Sequence, residues 1–250
     1  MRKMRMAITQ PTIKGIYAIT PDQKNTEFLL KQVRDCCDGG VNILQYRSKS
    51  LPWKKRLEQA KEIKKVTDEY QIPLIINDDV DICVQLDTFG IHLGKDDESI
   101  KNARSALGAD KCIGMSCYNQ ADRVEMAIKN KADYIALGAC FETKTKPTAP
   151  IVSLEMIRMA RQKYDIPMVA IGGINIDNIG ALKETGIQCF ALINSIFTST
   201  DIISTIKQFK LKIKDDLLTL QINILVISFC ALAACSIAHF IYILEYSIIK

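Results

Sequence analysis

Short apolar runs alternate with longer helical patterns along most of this chain, and that alternation constrains its fold more than any other feature. Such runs are typical of parallel strands that are buried on both faces and joined by helices. The predicted strands cover residues 15–20, 41–46, 74–76, 90–93, 112–116, 134–137, 168–171 and 189–193. The predicted helices cover residues 26–37, 52–69, 81–86, 99–107, 120–129, 153–164, 178–185 and 202–209.

Eight strands that are each followed by a helix predict an α/β protein with a closed (β/α)8 TIM barrel. An open doubly wound sheet is the alternative, but eight units without a second domain favour closure, and no Gly-x-Gly-x-x-Gly motif follows the first strand. We expect the barrel to span residues 13–210. An N-terminal extension over residues 1–12 precedes it and lacks the apolar core of a signal peptide.

The composition changes beyond the barrel. No residue is charged between Asp216 and Glu245, and residues 217–244 exceed the length of about 20 apolar residues that crosses a bilayer as a helix. We therefore expect an appended hydrophobic helix that spans a membrane. Four lysines within residues 207–214 precede it and only Lys250 follows it, which predicts a cytoplasmic barrel tethered to the cytoplasmic face of that membrane. The alternatives are a ninth helix packed on the barrel and an oligomer contact, although such a helix normally has one polar face.

Composition narrows the classes of partner and metal. The chain has 250 residues and a net charge of +5, and no block of Lys and Arg alternates with aromatic residues, so nucleic-acid binding has no support. Its nine cysteines include no Cys-x-x-Cys pair and its histidines number two, so the ligands of a structural zinc site are lacking. We expect free thiols, as in a reducing cytoplasm.

Polar clusters follow four of the predicted strands. They are Gln45-Tyr46-Arg47-Ser48-Lys49, Asn77-Asp78, Gly94-Lys95-Asp96-Asp97 and Thr143-Lys144-Thr145-Lys146. In a barrel of parallel strands, residues just beyond the carboxyl ends of the strands meet on one face. Carboxylates, cations and hydroxyl groups that converge there have the chemistry to hold a metal ion and a polyphosphate.

Two carboxylates follow neighbouring strands of this barrel. Asp78 and Asp97 are suited to one Mg²⁺, which is usually bound by one or two carboxylates together with waters and substrate phosphate oxygens. Asp78 alone would more simply cap the following helix, and only its pairing with Asp97 among nearby cations favours metal binding. Asp79, Asp81 and Asp96 remain alternative ligands.

The cluster after the second strand favours a diphosphate. Gln45, Arg47 and Lys49 alternate in sequence and would share one face of an extended segment. Arg offers a forked donor and Lys a point charge to phosphate oxygens. An exposed basic loop explains the same residues equally well when the cluster is taken alone.

A second anion site is expected across the barrel mouth, because loops after the seventh and eighth strands often hold a phosphate in this fold. Gly172 and Gly173 follow the seventh strand and would let backbone N–H groups approach a ligand, or would serve only a tight turn. Asn194 and Ser195 follow the eighth strand, and hydroxyl and ammonium groups of residues 143–146 extend from another loop.

These motifs together resemble the thiamine phosphate synthase family over roughly residues 13–205. The matching segments are Tyr17-Ala-Ile-Thr20, Gln45-x-Arg47-x-Lys49, Ile75-Ile-Asn77-Asp78, Gly90-Ile-His92-Leu-Gly94, Asp97, Gly114-Met-Ser116, Phe141-Glu-Thr143-Lys-Thr145-Lys146 and Val169-Ala-Ile-Gly172-Gly173. The resemblance implies a (β/α)8 transferase that joins hydroxymethylpyrimidine diphosphate to thiazole phosphate. It also implies a dissociative mechanism, in which diphosphate leaves before the thiazole nitrogen attacks a delocalised pyrimidine methyl cation.

The resemblance assigns a role to each matching residue. The implied Mg²⁺ ligands are Asp78 and Asp97. The implied contacts of the pyrimidine diphosphate are Gln45, Arg47, Lys49, Asn77 and Lys146, with Ser116 at the pyrimidine or the departing group. The implied contacts of the thiazole phosphate are Thr143, Thr145, Gly173 and the backbone of Ile193 and Asn194. Arg47, Lys49, Ser116 and Lys146 would be catalytic, because they face charge that develops on the leaving group.

The chain also departs from the family pattern. Lys95, Asn194 and Glu142 stand where the family usually has Gln, Ser and Pro, and Pro21 interrupts the usual Thr-Asp after the first strand. None of these changes removes an implied metal ligand. They bear on substrate details more than on the type of reaction.

Three alternatives remain. A thiazole phosphate tautomerase on the same barrel would lack the acidic pair and carry a catalytic His near Ser116. A sugar-phosphate isomerase or epimerase would need a paired acid and base inside the barrel. A membrane-tethered barrel that binds precursors without catalysis would have no use for the polar constellation.

Overall fold

The computed structural model describes residues 12–95, 97–143 and 150–214. Eight parallel strands pair in chain order and close into a barrel, with β1 hydrogen-bonded to both β2 and β8. The strands are β1 (Gly15–Ile19), β2 (Ile43–Tyr46), β3 (Leu74–Asn77), β4 (Gly90–Leu93), β5 (Cys112–Tyr118), β6 (Tyr134–Leu137), β7 (Met168–Ile171) and β8 (Cys189–Leu192). The predicted (β/α)8 fold is confirmed.

Helices follow the strands. They are α1 (Thr26–Gly39), α2 (Trp53–Glu69), α3 (Val80–Leu86), α4 (Ile100–Leu107), α5 (Ala121–Lys129), α6 (Leu154–Lys163), α7 (Ile179–Lys183) and α8 (Asn194–Phe197). Residues 202–214 form a further helix, α9, which begins with the helix predicted at 202–209 and extends beyond its predicted end. The eighth unit therefore contains two helices, and α8 was not predicted because four residues are too few to show a helical period.

Local signals in the sequence explain where several helices begin and end. The Asn25 side chain accepts a hydrogen bond from the Phe28 amide at 3.0 Å and caps α1. Ser99 and Ser153 cap α4 and α6 in the same way. Gly40 ends α1 in the left-handed conformation, with φ of 81°, which a residue without Cβ adopts at little cost.

The core has two layers. Inside the barrel, side chains such as Ile43, Ile75 and Val169 pack around the axis and are at most 1% exposed. Between the strands and the surrounding helices, Leu29 and Ile63 are fully buried. Because the strands are covered on both faces, their sequences are largely apolar.

Strand β5 differs from its prediction. It continues to Tyr118 rather than ending at Ser116, and its pairing with β6 changes register between these two residues. Tyr118 has a positive φ of 55°, as expected where an irregular residue bends a strand at the rim of a barrel. The irregularity lies next to Ser116, one of the predicted site residues.

The chain divides into two compact units, residues 1–210 and 211–250. Of the second unit the structure describes residues 211–214, which are helical. Within the described ranges, no helix combines the length and the apolar character that crossing a bilayer requires. The predicted membrane segment at 217–244 lies outside those ranges, and so does the predicted extension at 1–12 except for Thr12.

Candidate active site

A cavity of about 610 Å³ lies at the end of the barrel where the strands terminate. Eight of the predicted site residues line it: Gln45, Arg47, Asn77, Ser116, Thr143, Gly173, Ile193 and Asn194. Lys49, Asp78 and Asp97 lie together beyond the ends of β2, β3 and β4. Thr145 and Lys146 are outside the described residues, so their predicted roles stay predictions.

The segment after β2 is held by a single carboxylate from the first loop. Asp22 accepts hydrogen bonds from the Lys49 amide at 3.1 Å and from the Ser50 amide and hydroxyl at 3.2 and 2.7 Å, and it accepts a longer one from Ser48. Burial alone would raise the pKa of the Asp22 carboxyl, but these hydrogen bonds outweigh it and lower the pKa below its usual value. Asp22 therefore fixes the backbone from which Lys49 extends.

Arg47 is anchored through its backbone, which leaves its side chain available to the cavity. The Thr20 hydroxyl accepts from the Arg47 amide at 2.9 Å and donates to the Arg47 carbonyl at 3.2 Å. Because Thr20 belongs to the segment after β1, it ties that segment to the end of β2. Arg47 thus lines the cavity from a fixed stretch of backbone.

The predicted acidic pair comes together. The carboxyl groups of Asp78 and Asp97 are close enough to hydrogen-bond, and Lys49 forms an ion pair with Asp78. Asp97 also accepts a hydrogen bond from the Gly94 amide at 2.7 Å. Desolvation first, and then the neighbouring Asp78, raise the pKa of the Asp97 carboxyl above its usual value. A cation between the two carboxylates would relieve their repulsion.

Backbone geometry and competing contacts distinguish the possible ligands. Asp78 has a φ of 64°, so it turns sharply at the end of β3. Asp79, rather than Asp78, occupies the N-cap of α3, and its side chain binds Arg56 at 2.9 Å. Asp81 lies in the first turn of α3, and its side chain is exposed. The simpler capping role considered for Asp78 therefore does not apply, and Asp96 lies outside the described residues.

The acidic pair suits Mg²⁺ rather than a metal held entirely by protein. Within residues 12–95, 97–143 and 150–214, no group of three or more His, Cys, Asp or Glu side chains is arranged to hold a metal. Mg²⁺ commonly uses one or two carboxylates and completes its shell with water and phosphate oxygens. Asp78 and Asp97 meet that requirement beside a cavity lined by Arg47.

A column of hydrogen-bonded side chains forms the floor of the cavity. Gln45 Nε2 donates to the Tyr17 hydroxyl at 2.8 Å, and the Tyr17 and Tyr134 hydroxyls are 3.0 Å apart. His92 Nδ1 lies 2.9 Å from the Tyr134 hydroxyl, and His92 Nε2 lies 2.9 Å from Ser116 Oγ. Burial raises the pKa of both tyrosines well above the usual value, so both phenols keep their protons.

Three members of this column were not among the predicted site residues. Tyr17, His92 and Tyr134 lie within strands, whereas the predicted polar clusters follow strands. The available signal was a polar group within an otherwise apolar strand, which must find a partner when it is buried. That signal does not reveal which strands face each other across the barrel.

Ser116 is held through its backbone. Its carbonyl accepts hydrogen bonds from Arg123 Nε at 3.2 Å and Nη2 at 3.0 Å. Arg123 is buried, and its guanidinium group lies 5.5 Å from the centre of the Tyr118 ring. This contact fixes the irregular end of β5 that carries the serine.

Across the mouth, the segments after β6 and β7 approach each other at backbone distance. The Phe141 amide donates to the Gly172 carbonyl at 3.0 Å. A Cβ at Gly173 would lie 2.3 Å from the Glu142 carbonyl oxygen, and Gly173 has a φ of 66°. The glycines are therefore required for the turn and for the close approach of the segment that carries Thr143. Both glycines also line the cavity, and their predicted role in approaching a ligand stays a prediction.

Comparisons with known proteins agree with this geometry. The family model described as thiamine monophosphate synthase matches residues 16–196. Thiamine-phosphate synthase of Methylobacillus flagellatus is 42% identical over 199 residues, which cover 80% of this chain and 95% of that protein. The protein of the same name from Nitrosomonas eutropha is 41% identical, covering 79% and 93%.

A solved structure agrees as well. Thiamine phosphate pyrophosphorylase from Pyrococcus furiosus superposes with a TM-score of 0.73 at 29% identity, covering 80% of this chain and 96% of that one. The chain therefore belongs to the thiamine monophosphate synthase family.

Proposed function

We propose that this chain is a transferase that joins hydroxymethylpyrimidine diphosphate to thiazole phosphate and releases diphosphate. Family membership supports the reaction, since relatives named thiamine-phosphate synthase align over about four-fifths of the chain. The observation that carries the proposal is the contact among Lys49, Asp78 and Asp97 beside the cavity that Arg47 and Asn77 line. This arrangement offers both a metal site and cations for a leaving diphosphate.

The leaving group would bind on the β2–β4 side. Arg47 would grip diphosphate oxygens with its forked guanidinium group, and Asn77 would donate beside it. Lys49 would exchange its contact with Asp78 for one with the diphosphate. Mg²⁺ held by Asp78 and Asp97 would supply further positive charge to the departing oxygens. Lys146 is proposed as an additional cation on the strength of the family resemblance.

The acceptor would bind on the opposite side. We assign the thiazole phosphate to Thr143, Thr145, Gly173 and the backbone of Ile193 and Asn194. Gly173 and Asn194 follow β7 and β8, whose loops commonly hold phosphate in this fold. The pyrimidine would lie between the two anions, above Gln45 and Ser116. Breaking the C–O bond to diphosphate would then leave a delocalised pyrimidine methyl cation, and the thiazole nitrogen would form the new C–N bond to its methylene carbon.

The tautomerase alternative predicts a histidine near Ser116 and no acidic pair. His92 does lie 2.9 Å from Ser116 Oγ, a proximity that the separation of these residues in sequence conceals. The acidic pair is nevertheless present and in contact. Coupling is therefore the better supported reaction. A non-catalytic scaffold would not require the charged groups of Lys49, Asp78 and Asp97 to lie together.

The proposal is tested by following thiamine phosphate formation from the two precursors with the full chain. We expect activity that requires Mg²⁺ and falls about 100-fold to 1,000-fold in Asp78→Asn. Asp81→Asn is the matched control, because it removes an exposed carboxylate three residues away and should leave activity intact. A folded chain that isomerises thiazole phosphate but never couples it would favour the tautomerase.

We propose in addition that residues 217–244 anchor the barrel to the cytoplasmic face of a membrane. The uncharged composition supports this location. The full chain should pellet with membranes and resist extraction with alkaline carbonate. Leu225→Arg combined with Leu232→Arg should release it, since each Arg at a helix centre costs about 2.5–3.5 kcal/mol of insertion. Leu211→Arg, at an exposed position, is the control, and a wild-type chain found only in the supernatant would contradict the anchor.

A further inference from the structure

The hydrogen-bond column on the cavity floor has a direction. It begins at Gln45, whose Nε2 is a donor only, so the Tyr17 hydroxyl must accept there. Tyr17 has one proton to donate, and its remaining partner in the described part of the chain is the Tyr134 hydroxyl. If Tyr134 donated instead, the Tyr17 proton would be buried without an acceptor, which buried polar groups rarely tolerate.

The direction propagates to His92. Tyr134 accepts from Tyr17 and therefore donates its own proton to His92 Nδ1. A neutral imidazole that accepts at one nitrogen carries its proton on the other. His92 Nε2 would then be protonated and would donate to Ser116 Oγ. Ser116 Oγ would accept this hydrogen bond through one of its lone pairs. The Ser116 hydroxyl proton would then point into the cavity that Ser116 lines.

We propose that His92 is a positioning residue that acts through Ser116. It donates from Nε2 to Ser116 Oγ and so directs the Ser116 proton toward an oxygen of the departing diphosphate. This inference rests on the proposed function for the identity of the acceptor, but the direction of the column does not. No proton is transferred, because each group keeps its own hydrogen and only orients it.

The packing inside the barrel leaves space for this column. Gly114 lies beside His92 in the sheet, and a Cβ at Gly114 would lie within 2.4 Å of the Tyr134 hydroxyl and overlap its ring. The absence of a side chain there admits the phenol beneath the imidazole, with the two ring centres 5.5 Å apart. Tyr17 packs edge-on against Tyr134 from the other side. This packing holds the Tyr17 and Tyr134 hydroxyl groups within hydrogen-bond distance of each other, and the Tyr134 hydroxyl within hydrogen-bond distance of His92.

The direct test is the tautomer of His92 in the full chain. The sequence contains two histidines, so ¹⁵N-histidine labelling gives two imidazole spin systems, and His92→Gln assigns them by loss of one. We expect a proton on Nε2 and none on Nδ1 of His92. A proton on Nδ1 would reverse the column and overturn the proposal. This outcome does not depend on enzyme activity.

A pair of variants tests the consequence for catalysis. In His92→Gln the amide nitrogen takes the position of Nε2 and keeps a donor to Ser116, whereas in His92→Asn it lies nearer Nδ1 and loses that donor. We expect His92→Asn to lower kcat about 100-fold with little change in KM, and His92→Gln to recover most of it. Equal losses in both folded variants would overturn the positioning role. An Nε2-protonated His92 in a chain that never forms thiamine phosphate would reject the proposed function but not the direction of the column.

Discussion

The two sides of the cavity differ in what they present. On the side formed by β2, β3 and β4, charged side chains lie together, whereas on the side formed by β6, β7 and β8 glycines line the cavity. Lys49 binds Asp78, and Asp78 lies against Asp97. Across the mouth, Gly172 and Gly173 let two segments approach at distances that exclude a Cβ. We propose that one side binds its anion through charged side chains and that the other binds its anion through shape and backbone N–H groups.

This difference has a physical basis in the two proposed ligands. A leaving diphosphate gains negative charge as its bond breaks, and movable cations with a metal ion respond to that change. A phosphate that only anchors its substrate carries constant charge and can be held by fixed backbone donors. Substitutions on the two sides should therefore change different kinetic constants.

The largest effect on the reaction should come from a cation on the charged side, which is the side of the cavity formed by β2, β3 and β4. Arg47→Ala removes the cation of a residue that lines the cavity. We expect kcat to fall about 100-fold to 1,000-fold, because charge on the leaving group is no longer stabilised. Arg34→Ala is the matched control, since Arg34 forms an exposed ion pair with Glu69. Steady-state kinetics with both precursors measure this effect. An increase in KM with kcat unchanged would contradict the proposed difference between the two sides of the cavity.

An intermediate effect is expected on the backbone side. Gly173→Ala forces a Cβ to within 2.3 Å of the Glu142 carbonyl oxygen at a φ of 66°. The displaced segment should raise KM for thiazole phosphate about 10-fold to 100-fold, with a smaller change in kcat. Gly180→Ala is the control, because nothing lies within 4 Å of a Cβ there. If both variants behaved alike, Gly173 would not shape an anion site.

The smallest effect concerns the support of the charged side. Asp22→Asn weakens the hydrogen bonds to residues 48–50 and should lower the free energy of unfolding by about 1 kcal/mol at neutral pH. Because folding lowers the pKa of Asp22, its carboxylate stabilises the fold above its unfolded-state pKa, near 3.9, and this contribution is lost as the pH falls through the folded-state value.

Urea unfolding of the wild type and Asp22→Asn at neutral and acid pH measures this difference. The two curves should converge in acid, while Asp165→Asn, which removes an exposed carboxylate outside any helix, should follow the wild type throughout. A difference between wild type and Asp22→Asn that persisted at low pH would show that the carboxylate charge does not hold the segment carrying Lys49.

Much of the architecture follows from local patterns. Short apolar runs that alternate with longer helical patterns identified most elements and the barrel class. The caps at Asn25 and Ser99 seen in the structure are consistent with those elements. The acidic pair was predicted because carboxyl ends of parallel strands must share one face. The short α8 and the irregular end of β5 were missed, since neither has a periodic signal.

By itself, the sequence determined the strand order, the end of the barrel that carries the site, and eight of the residues that line the cavity. These depend on periodicity and on the geometry common to all parallel barrels. Only the tertiary structure decided that His92 meets Ser116, that Tyr17 meets Tyr134, and that Asp79 is engaged by Arg56. These contacts join residues distant in sequence across the barrel or between its segments. Their existence depends on side-chain direction and on the space left by residues such as Gly114, which no local pattern encodes.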